Sequence, residues 1–194
     1  MAGAKSYKRE DLLDRAIELF RRQGYAGTST AELVEELGVN RKSMYAEFGS
    51  KQDLFEAALE RYSAVNLTRV LAPIEDPTAN VASIKSAFDS YASGIDGKFN
   101  GLGCLMANTA VERAALDPGS AKFVDAYLSR LQAGFRQALE NGKDQDAVNP
   151  AADLDALASY FAMSVVGVSA MIRAKAPSRM VHDACREIVG RLDS

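Results

Sequence analysis

The sequence predicts an all-α protein of about nine helices, arranged as two domains, residues 1–51 and residues 52–194. Apolar side chains recur every three or four residues along most of the chain, and no alternating strand pattern appears. Of the 194 residues, 47% are hydrophobic and 25% are charged, which is an ordinary globular composition. Collagen, a disordered chain and a coiled-coil rod are therefore excluded.

Three short helices are expected in the first domain. The apolar face of the first helix is formed by Leu13, Ala16, Ile17 and Phe20. Gly24 stops that helix, and Thr30 can cap a second helix over residues 31–37. Asn40 can cap a third helix that ends near Phe48.

The second domain consists of longer and more apolar helices. A fourth helix is expected from Lys51 toward Leu71, and a Gly-rich connection over residues 94–103 precedes a helix over residues 105–116. A polar loop, residues 143–150, leads into an uncharged stretch. The other apolar stripes contain Ile84, Phe88, Tyr91 and Ile95, then Phe123, Tyr127, Leu131, Phe135 and Leu139, and finally Val181, Ala184, Cys185, Ile188 and Leu192.

The uncharged stretch, residues 156–172, resembles a membrane span in composition. It has 17 residues, which is short of the roughly 20 that cross a bilayer. Ser159, Ser164 and Ser169 interrupt it, and charged residues flank it on both sides. We interpret it as a helix that is buried on nearly all sides within a protein that has no membrane contact.

The segment from Thr28 to Lys51 has the pattern of a helix-turn-helix. A two-turn helix is followed by a turn at Gly38 and by a second short helix. Because Met44 and Phe48 point to the same side of that second helix, its opposite side is exposed. That exposed side has the size and polarity to enter a DNA major groove.

The exposed face of the third helix carries donors for DNA. Lys42 and Ser43 can donate to base edges, and Tyr45 can donate to phosphate. Arg41 and Lys51 bracket the helix as phosphate contacts. A helical hairpin with a solvated polar face is the alternative, because any amphipathic pair of helices exposes such side chains.

The charge distribution favours DNA binding by the first domain. The formal net charge is −3, so positive charge for a nucleic acid must be local. Residues 1–51 contain 9 Lys and Arg against 8 Asp and Glu, whereas residues 52–194 contain 14 against 18. The small positive excess therefore coincides with the helix-turn-helix.

Several of these residues resemble those of a known family. The family is the TetR family of bacterial one-component transcriptional repressors, and the residues are Phe20, Gly24, Tyr25, Thr28, Ser29, Leu33, Gly38, Val39, Ser43, Met44, Tyr45, Phe48, Ser50, Lys51, Leu54 and Phe55. In addition, residues 103–110 are similar to a C-terminal domain of an AcrR-like branch of that family. The resemblance covers roughly the first third of the chain and, more weakly, this later segment.

The resemblance implies a cytoplasmic homodimer that binds double-stranded DNA at a near-palindromic operator. Residues 1–51 would be the DNA-binding domain, and residues 52–194 would sense a small-molecule effector and dimerise. By position, the expected phosphate contacts are Thr28, Ser29, Tyr45 and Lys51, and the expected base readers are Arg41, Lys42 and Ser43. An effector would release this repressor from DNA.

Two residues depart from the family pattern. Val34 stands in the second helix where many members have a small residue, and we expect the neighbouring side chains to accommodate its larger volume. Glu47 stands just before Phe48 where many members have an aromatic residue. A carboxylate there puts one usual backbone contact in doubt, because phosphate repels it.

The last two long helices, residues 154–173 and 178–192, are expected to pair across the two-fold axis of the dimer. Small residues would let the backbones approach, and apolar residues would fill the seam between the subunits. The expected seam residues are Ala158, Phe161, Ala162, Val165, Gly167, Val168, Ser169 and Ile188.

An effector pocket is expected within the helices from Lys51 to Glu140. Aromatic walls with a few polar groups are usual for small-molecule cavities, although each such residue alone is more often part of a core. The candidate lining residues are Tyr62, Asn66, Phe88, Tyr91, Met106 and Phe135.

The two cysteines are too few for a disulfide framework and have no metal-ligand spacing, so we expect a reducing compartment and no metal. Cys104 follows Gly103 at an expected helix start, where the helix dipole favours a thiolate, and Lys98 is near in sequence. Cys104 is therefore a candidate sensor thiol, and burial as a small packing residue is the alternative. Cys185 is assigned to packing.

An all-α enzyme or an adaptor is the alternative from another class. The single histidine, His182, lies in the apolar last helix beside Asp183, where a role at the dimer rim or on the surface is expected rather than that of a base. No phosphate-binding loop or dinucleotide motif is present, so neither catalysis nor a cofactor is expected.

Overall fold

A computed structural model describes residues 7–97, 100–112 and 117–192 of the chain. This part of the chain is helical and without strands, which confirms the all-α prediction. The helices are α1 (Arg9–Gly27), α2 (Thr30–Leu37), α3 (Arg41–Phe48), α4 (Lys51–Tyr62), α5 (Thr68–Glu75), α6 (Val81–Asp96), α7 (Leu105–Glu112), α8 (Pro118–Asp144), α9 (Leu154–Arg173) and α10 (Ser178–Gly190). A π-helical turn, Ser63–Leu67, joins α4 to α5, so the described residues form nine helices. The first of these is broken at Gly24, where φ is 78° and ψ is 171°, as expected from the sequence, and a last turn follows to Gly27.

The head consists of α1–α3, and side-chain caps set the starts of its two short helices, α2 and α3. Ser29 accepts from the Glu32 backbone N–H while the Glu32 carboxylate accepts from the Ser29 N–H, which is a capping box at α2. The cap is therefore Ser29 and not Thr30, one residue earlier than expected. Gly38 follows α2 with a φ of 65°, a left-handed conformation that glycine adopts without strain.

The helix-turn-helix packs on the apolar core that runs through the rest of the described chain. Leu33, Leu37, Met44 and Phe48 are at most 7% exposed and lock α2 against α3. Val34 is half-buried and packs against the same core, so packing absorbs this departure from the family pattern, as expected.

The second domain is built around α8. This 27-residue helix packs against α9 on one side and against α5 and α6 on others, and α10 packs on α6. The fourth predicted helix extends further than expected, through Pro73 to Glu75, by way of the π-helical turn. This continuous helix reaches from the head into the second domain, because α4 contacts α1 and α5 contacts α8.

The face of α9 that we assigned to the dimer seam is wrong. Phe161 and Val165 are fully buried inside their own chain, and the other assigned residues of α9 apart from Gly167 are at most 6% exposed. The exposed apolar face is the opposite one. It consists of Tyr160, Met163, Gly167 and Met171.

The prediction that α9 is buried on nearly all sides is wrong, because Tyr160, Met163 and Met171 are exposed. The helix is long and apolar enough to cross a bilayer, but one face of it packs against α6, α7, α8 and α10. Its lack of charge therefore reflects a core face on one side and an exposed apolar face on the other.

Candidate functional site

The first turn of α3 is exposed on the surface of the head. Asn40 fixes this turn, because its side chain accepts from the Ser43 backbone N–H at 2.8 Å. Arg41 and Lys42 are exposed at the turn, and the Ser43 side chain is half-buried. The three expected base readers therefore lie together at the N-terminus of α3, as the sequence pattern predicted.

Tyr45 connects α2 and α3 at the edge of this surface. Its side chain is half-buried, and the Arg41 guanidinium carbon lies 5.6 Å from the centre of its ring. Hydrogen bonds with Thr30 and with Arg41 lower the pKa of the Tyr45 hydroxyl. Tyr45 is thus held in place by both helices of the motif.

The other three expected phosphate contacts lie in different environments. Thr28 is buried, and its hydroxyl donates to the Gly24 carbonyl at 2.5 Å, so its side chain is not presented at the surface. Ser29 is exposed as the cap of α2. Lys51 is half-buried, and its Nζ donates to the Tyr25 carbonyl at 2.6 Å, which joins the start of α4 to the end of α1.

Glu47 is turned away from the exposed face of α3. Its side chain is only 8% exposed, and its Oε1 lies 3.5 Å from Nε of Arg9 in α1. The same arginine lies over the Phe48 ring, with its guanidinium carbon 5.1 Å from the ring centre. The Glu47 carboxylate is therefore paired with a cation inside the head. The repulsion between this carboxylate and a DNA phosphate, expected from the sequence, does not arise.

A cavity of about 230 Å³ lies behind the head, between the helix α4–α5, α6, the start of α7 and α9. Three of the six residues expected to line a pocket, Tyr62, Asn66 and Tyr91, line this cavity. Asn66 belongs to the π-helical turn, a feature that is frequent at functional sites.

The other three expected lining residues are outside the cavity wall. Phe88, Met106 and Phe135 are fully buried in the core. Phe88 packs against Phe135 and Phe161, with ring centres 6.1 and 5.8 Å apart. Their aromatic and apolar character reflects core packing.

Sequence reasoning missed several polar or reactive residues of the cavity wall as pocket residues. Among them are Arg21, Arg69, Ser169 and Cys104, of which Ser169 had been assigned to the dimer seam and Cys104 named as a candidate sensor thiol. Arg21 is a buried cation within α1, and Nη2 of its guanidinium donates to the Gly103 carbonyl at 2.7 Å. No local pattern marks these residues, because they come from α1, α5, α9 and the residue before α7.

Cys104 lies immediately before α7, as expected from the sequence, and is half-buried. The Tyr62 hydroxyl donates to its Sγ at 3.7 Å, and its thiol donates to the Tyr127 hydroxyl at 3.9 Å. Burial raises the pKa of both tyrosines, so their hydroxyls stay protonated at neutral pH. Lys98, which the sequence placed near this thiol, lies outside the described residues.

Cys185 has a different environment from Cys104. It is 3% exposed in α10, and burial together with the charge of Asp89 raises the pKa of its thiol. The packing role assigned to Cys185 agrees with this burial.

The helix α7 connects the cavity to the head at both of its ends. Before its first residue, the Gly103 carbonyl accepts from Arg21. At its last residue, Glu112 accepts from the backbone N–H groups of Tyr25 at 3.2 Å and Ala26 at 2.8 Å. A movement of α7 would therefore displace the C-terminal turn of α1.

The chemistry of an enzyme is not assembled around His182. Its Nε2 lies 2.7 Å from Oδ2 of Asp96, and the Ser178 hydroxyl donates to the other oxygen of that carboxylate at 2.5 Å. The hydrogen bonds from Ser178 and His182 lower the pKa of Asp96. This is a partly exposed hydrogen-bonded contact between α6 and α10, in line with the surface role expected for the histidine.

Comparisons with known proteins identify both domains. Residues 12–58 match the family model "Bacterial regulatory proteins, tetR family", and residues 81–188 match "Tetracyclin repressor-like, C-terminal domain". The chain is 31% identical over 177 residues to the HTH-type transcriptional repressor ComR of Escherichia coli, which covers 87% of this chain and 81% of that protein. It is 29% identical over 184 residues to the uncharacterised HTH-type regulator YezE of Bacillus subtilis, covering 94% and 95%.

A solved structure has the same fold. The TetR family regulator CifR, as a cysteine mutant complexed with 26-bp double-strand operator DNA, superposes with a TM-score of 0.83 at 21% identity. The match covers 96% of this chain and 98% of that one. Head and second domain are therefore arranged here as in a protein that was solved on its operator.

Proposed function

The chain belongs to the TetR family of DNA-binding transcriptional regulators, and from this premise we propose that it is a repressor that a small-molecule effector releases from a near-palindromic operator. The observation that supports this most strongly is the first turn of α3, where two basic side chains are exposed on a rigid helix-turn-helix. We further propose that it works in the cytoplasm as a homodimer and acts by binding rather than by catalysis.

The contacts with DNA divide into two kinds. Lys42 and Ser43, with Arg41 beside them, read base edges in the major groove. Ser29, Tyr45 and Lys51 contact phosphates and set the register of the head. The buried Thr28 acts indirectly, because its hydrogen bond to Gly24 shapes the turn that precedes α2.

Lys51→Ala should weaken binding to specific and random DNA by the same factor. It removes one cation that contacts phosphate, so the slope of log affinity against log salt concentration should become shallower by about 1. Fluorescence anisotropy with both DNAs at several salt concentrations measures this. Lys51→Arg, which keeps the charge, is the matched control and should retain the slope. A change in base preference on Lys51→Ala would show that the residue reads sequence.

The effector acts by population shift. A ligand in the cavity binds more tightly to a conformation in which the two heads are wrongly spaced for the operator, and so draws the protein off DNA. The helix α7 transmits this change, because it contacts the cavity wall at one end and α1 at the other.

A gel-shift assay distinguishes a DNA-binding regulator from an adaptor or an enzyme. The labelled DNA is the region upstream of the gene of this protein and of its neighbours, and unlabelled random DNA is the competitor at moderate salt. A regulator gives a shift that random DNA fails to compete away. Without any sequence-specific shift, an adaptor would be favoured.

A thiol-sensing repressor is a second candidate function. It is favoured by the position of Cys104, which lies in the cavity wall, at the start of α7, and within reach of two tyrosine hydroxyls. In this mechanism the Cys104 sulfur bonds to an electrophilic carbon and displaces its leaving group, or bonds to one oxygen of a peroxide while the O–O bond breaks and the other oxygen leaves as water or an alcohol. The thiol proton passes to the leaving group or to solvent, and the modified side chain displaces α7.

Iodoacetamide at near-neutral pH should modify Cys104 much faster than Cys185 in the native protein. The Cys104 thiolate displaces iodide from the reagent, whereas Cys185 is shielded by burial. Mass spectrometry of timed samples gives the two rates, and anisotropy should show parallel loss of operator DNA. Cys104→Ser should abolish that loss. Equal, slow labelling of both cysteines would leave Cys104 with a packing role only.

A further inference from the structure

We infer that the cavity binds a small organic acid, a carboxylate on a short apolar body. This inference rests on the proposed function in one respect, since it identifies the chemical class of the effector for the cavity described above. The argument uses the charge, the unsatisfied polar atom and the size of that cavity.

The charge of the cavity wall is positive. Arg21 and Arg69 are the charged residues among the described residues that line it, and none of those residues is acidic. The Arg21 side chain is 7% exposed and lies over Tyr62, with its guanidinium carbon 5.9 Å from the ring centre. Its Nη1 also lies 3.1 Å from Oε1 of Glu18, a carboxylate outside the cavity wall, so a ligand anion would share this guanidinium with Glu18. A buried guanidinium stabilises an anion through charge-assisted hydrogen bonds, whereas a cation would be repelled and would lose its hydration without compensation.

The Ser169 hydroxyl places a hydrogen-bond donor in the cavity wall. This residue of α9 lines the cavity, is 1% exposed, and its Oγ has no hydrogen-bond partner among the described residues. A buried hydroxyl without a partner is costly, and most such groups in folded proteins are satisfied. A carboxylate oxygen of the ligand would accept this hydrogen bond.

The rest of the wall limits the ligand to a small apolar body. Apolar side chains dominate it, and they are Leu67, Val70, Pro73, Ala87 and Ile172. At about 230 Å³ the cavity is smaller than the roughly 300–1,000 Å³ that is usual for drug-sized ligands. An aromatic or short aliphatic monocarboxylic acid has the matching size and polarity.

The position of Arg21 connects this ligand to DNA release. Its guanidinium now donates to the Gly103 carbonyl, so a ligand carboxylate would compete with that carbonyl for the same donors. Loss of this bond would loosen α1 from the start of α7. The acid would thereby favour the conformation that releases DNA.

Three matched probes test the ligand class on the full chain by isothermal titration calorimetry. They are 3-phenylpropionate, its amide, and 3-phenylpropylamine, which share one apolar body and differ in charge. We expect the acid to bind at least about tenfold more tightly than the amide, because only the carboxylate brings a negative charge to the guanidinium groups, and the amine to bind least.

Two variants connect the binding to the cavity. Ser169→Ala should weaken binding of the acid by about tenfold, which is the usual effect of losing one hydrogen bond to a charged group. Arg69→Gln should weaken binding of the acid and leave the amide unchanged. Ser164→Ala is the matched control on α9, because the Ser164 hydroxyl donates to the Tyr160 carbonyl and the residue is not part of the cavity wall.

Three results would each overturn the inference: no binding of the acid at millimolar concentration, equal or tighter binding of the amide or amine, or unchanged acid affinity in Ser169→Ala. Calorimetry needs no DNA, so the ligand class is tested apart from the proposed function. If the acid binds as expected but leaves a protein–operator complex intact, the ligand class stands and the effector role of the cavity fails.

Discussion

Met163→Arg should convert the dimer into a folded monomer and weaken operator binding by about 100-fold or more, because linked binding of two half-sites typically adds a factor of 10² to 10⁴. Met163 is 75% exposed on α9, at the centre of an apolar face with Tyr160 and Met171. Gly167, on the same face, has open space where a side chain would be, so a second helix can approach closely. A guanidinium in such a seam would be buried without a partner.

Sedimentation velocity gives the oligomeric state of the variant, circular dichroism its folding, and anisotropy its affinity for the operator. Val65→Arg is the control, because it adds the same charge at an exposed valine in the π-helical turn. It should leave dimerisation intact. A Met163→Arg protein that remains a DNA-binding dimer would show that the subunits meet elsewhere.

Lys42→Ala should relax base preference at one position of each half-site by about 1–3 kcal/mol, or roughly 5- to 150-fold, as expected for the loss of a good base-edge contact. The residue is exposed in the first turn of α3, where a side chain reaches the base edges of the major groove. Ser43→Ala should have a smaller effect at a neighbouring position, because Ser43 is half-buried.

Competition binding against operators with single base changes measures this preference for the wild type and the variant. Lys122→Ala removes a lysine of α8 that is 61% exposed and ion-paired with Glu56, outside the head, and is the control for loss of one positive charge away from α3. If Lys42→Ala weakens all sequences equally while Lys51→Ala alters preference, the two assigned roles are reversed.

The architecture of the head could be predicted almost residue by residue, because local signals determine it. Glycine at position 38, the cap at Asn40 and the apolar spacing of α3 each act over a few residues. The cap of α2 was placed one residue late, since Ser29 and Thr30 are both good caps. The choice depends on the reciprocal hydrogen bonds between Ser29 and Glu32.

The packing of α9 could not be predicted from its own sequence. Both faces of this helix are apolar, so periodicity identifies an apolar helix but not which face contacts its own chain. Val165 is fully buried against the core, whereas Met163, two residues earlier, is exposed. Only the positions of α6, α8 and α10 decide between these two faces.

The cavity was only half predictable for a similar reason. An aromatic residue in the sensing domain can belong to the core or to the cavity wall. Of the two on α6, Phe88 lies in the core and Tyr91 lines the cavity. The polar groups that give the cavity its chemistry are Arg21 and Ser169, which come from helices far apart in sequence. Their convergence is a property of the folded chain.

Selection of bound DNA from a random pool tests the central claim most directly, because it presupposes neither an operator nor an effector. The account predicts enrichment of a near-palindrome whose half-sites are separated by about 34–36 Å, one helical turn, or by a multiple of it. No enrichment over random DNA, or recovery of a single asymmetric motif, would contradict a dimeric repressor that reads DNA through α3.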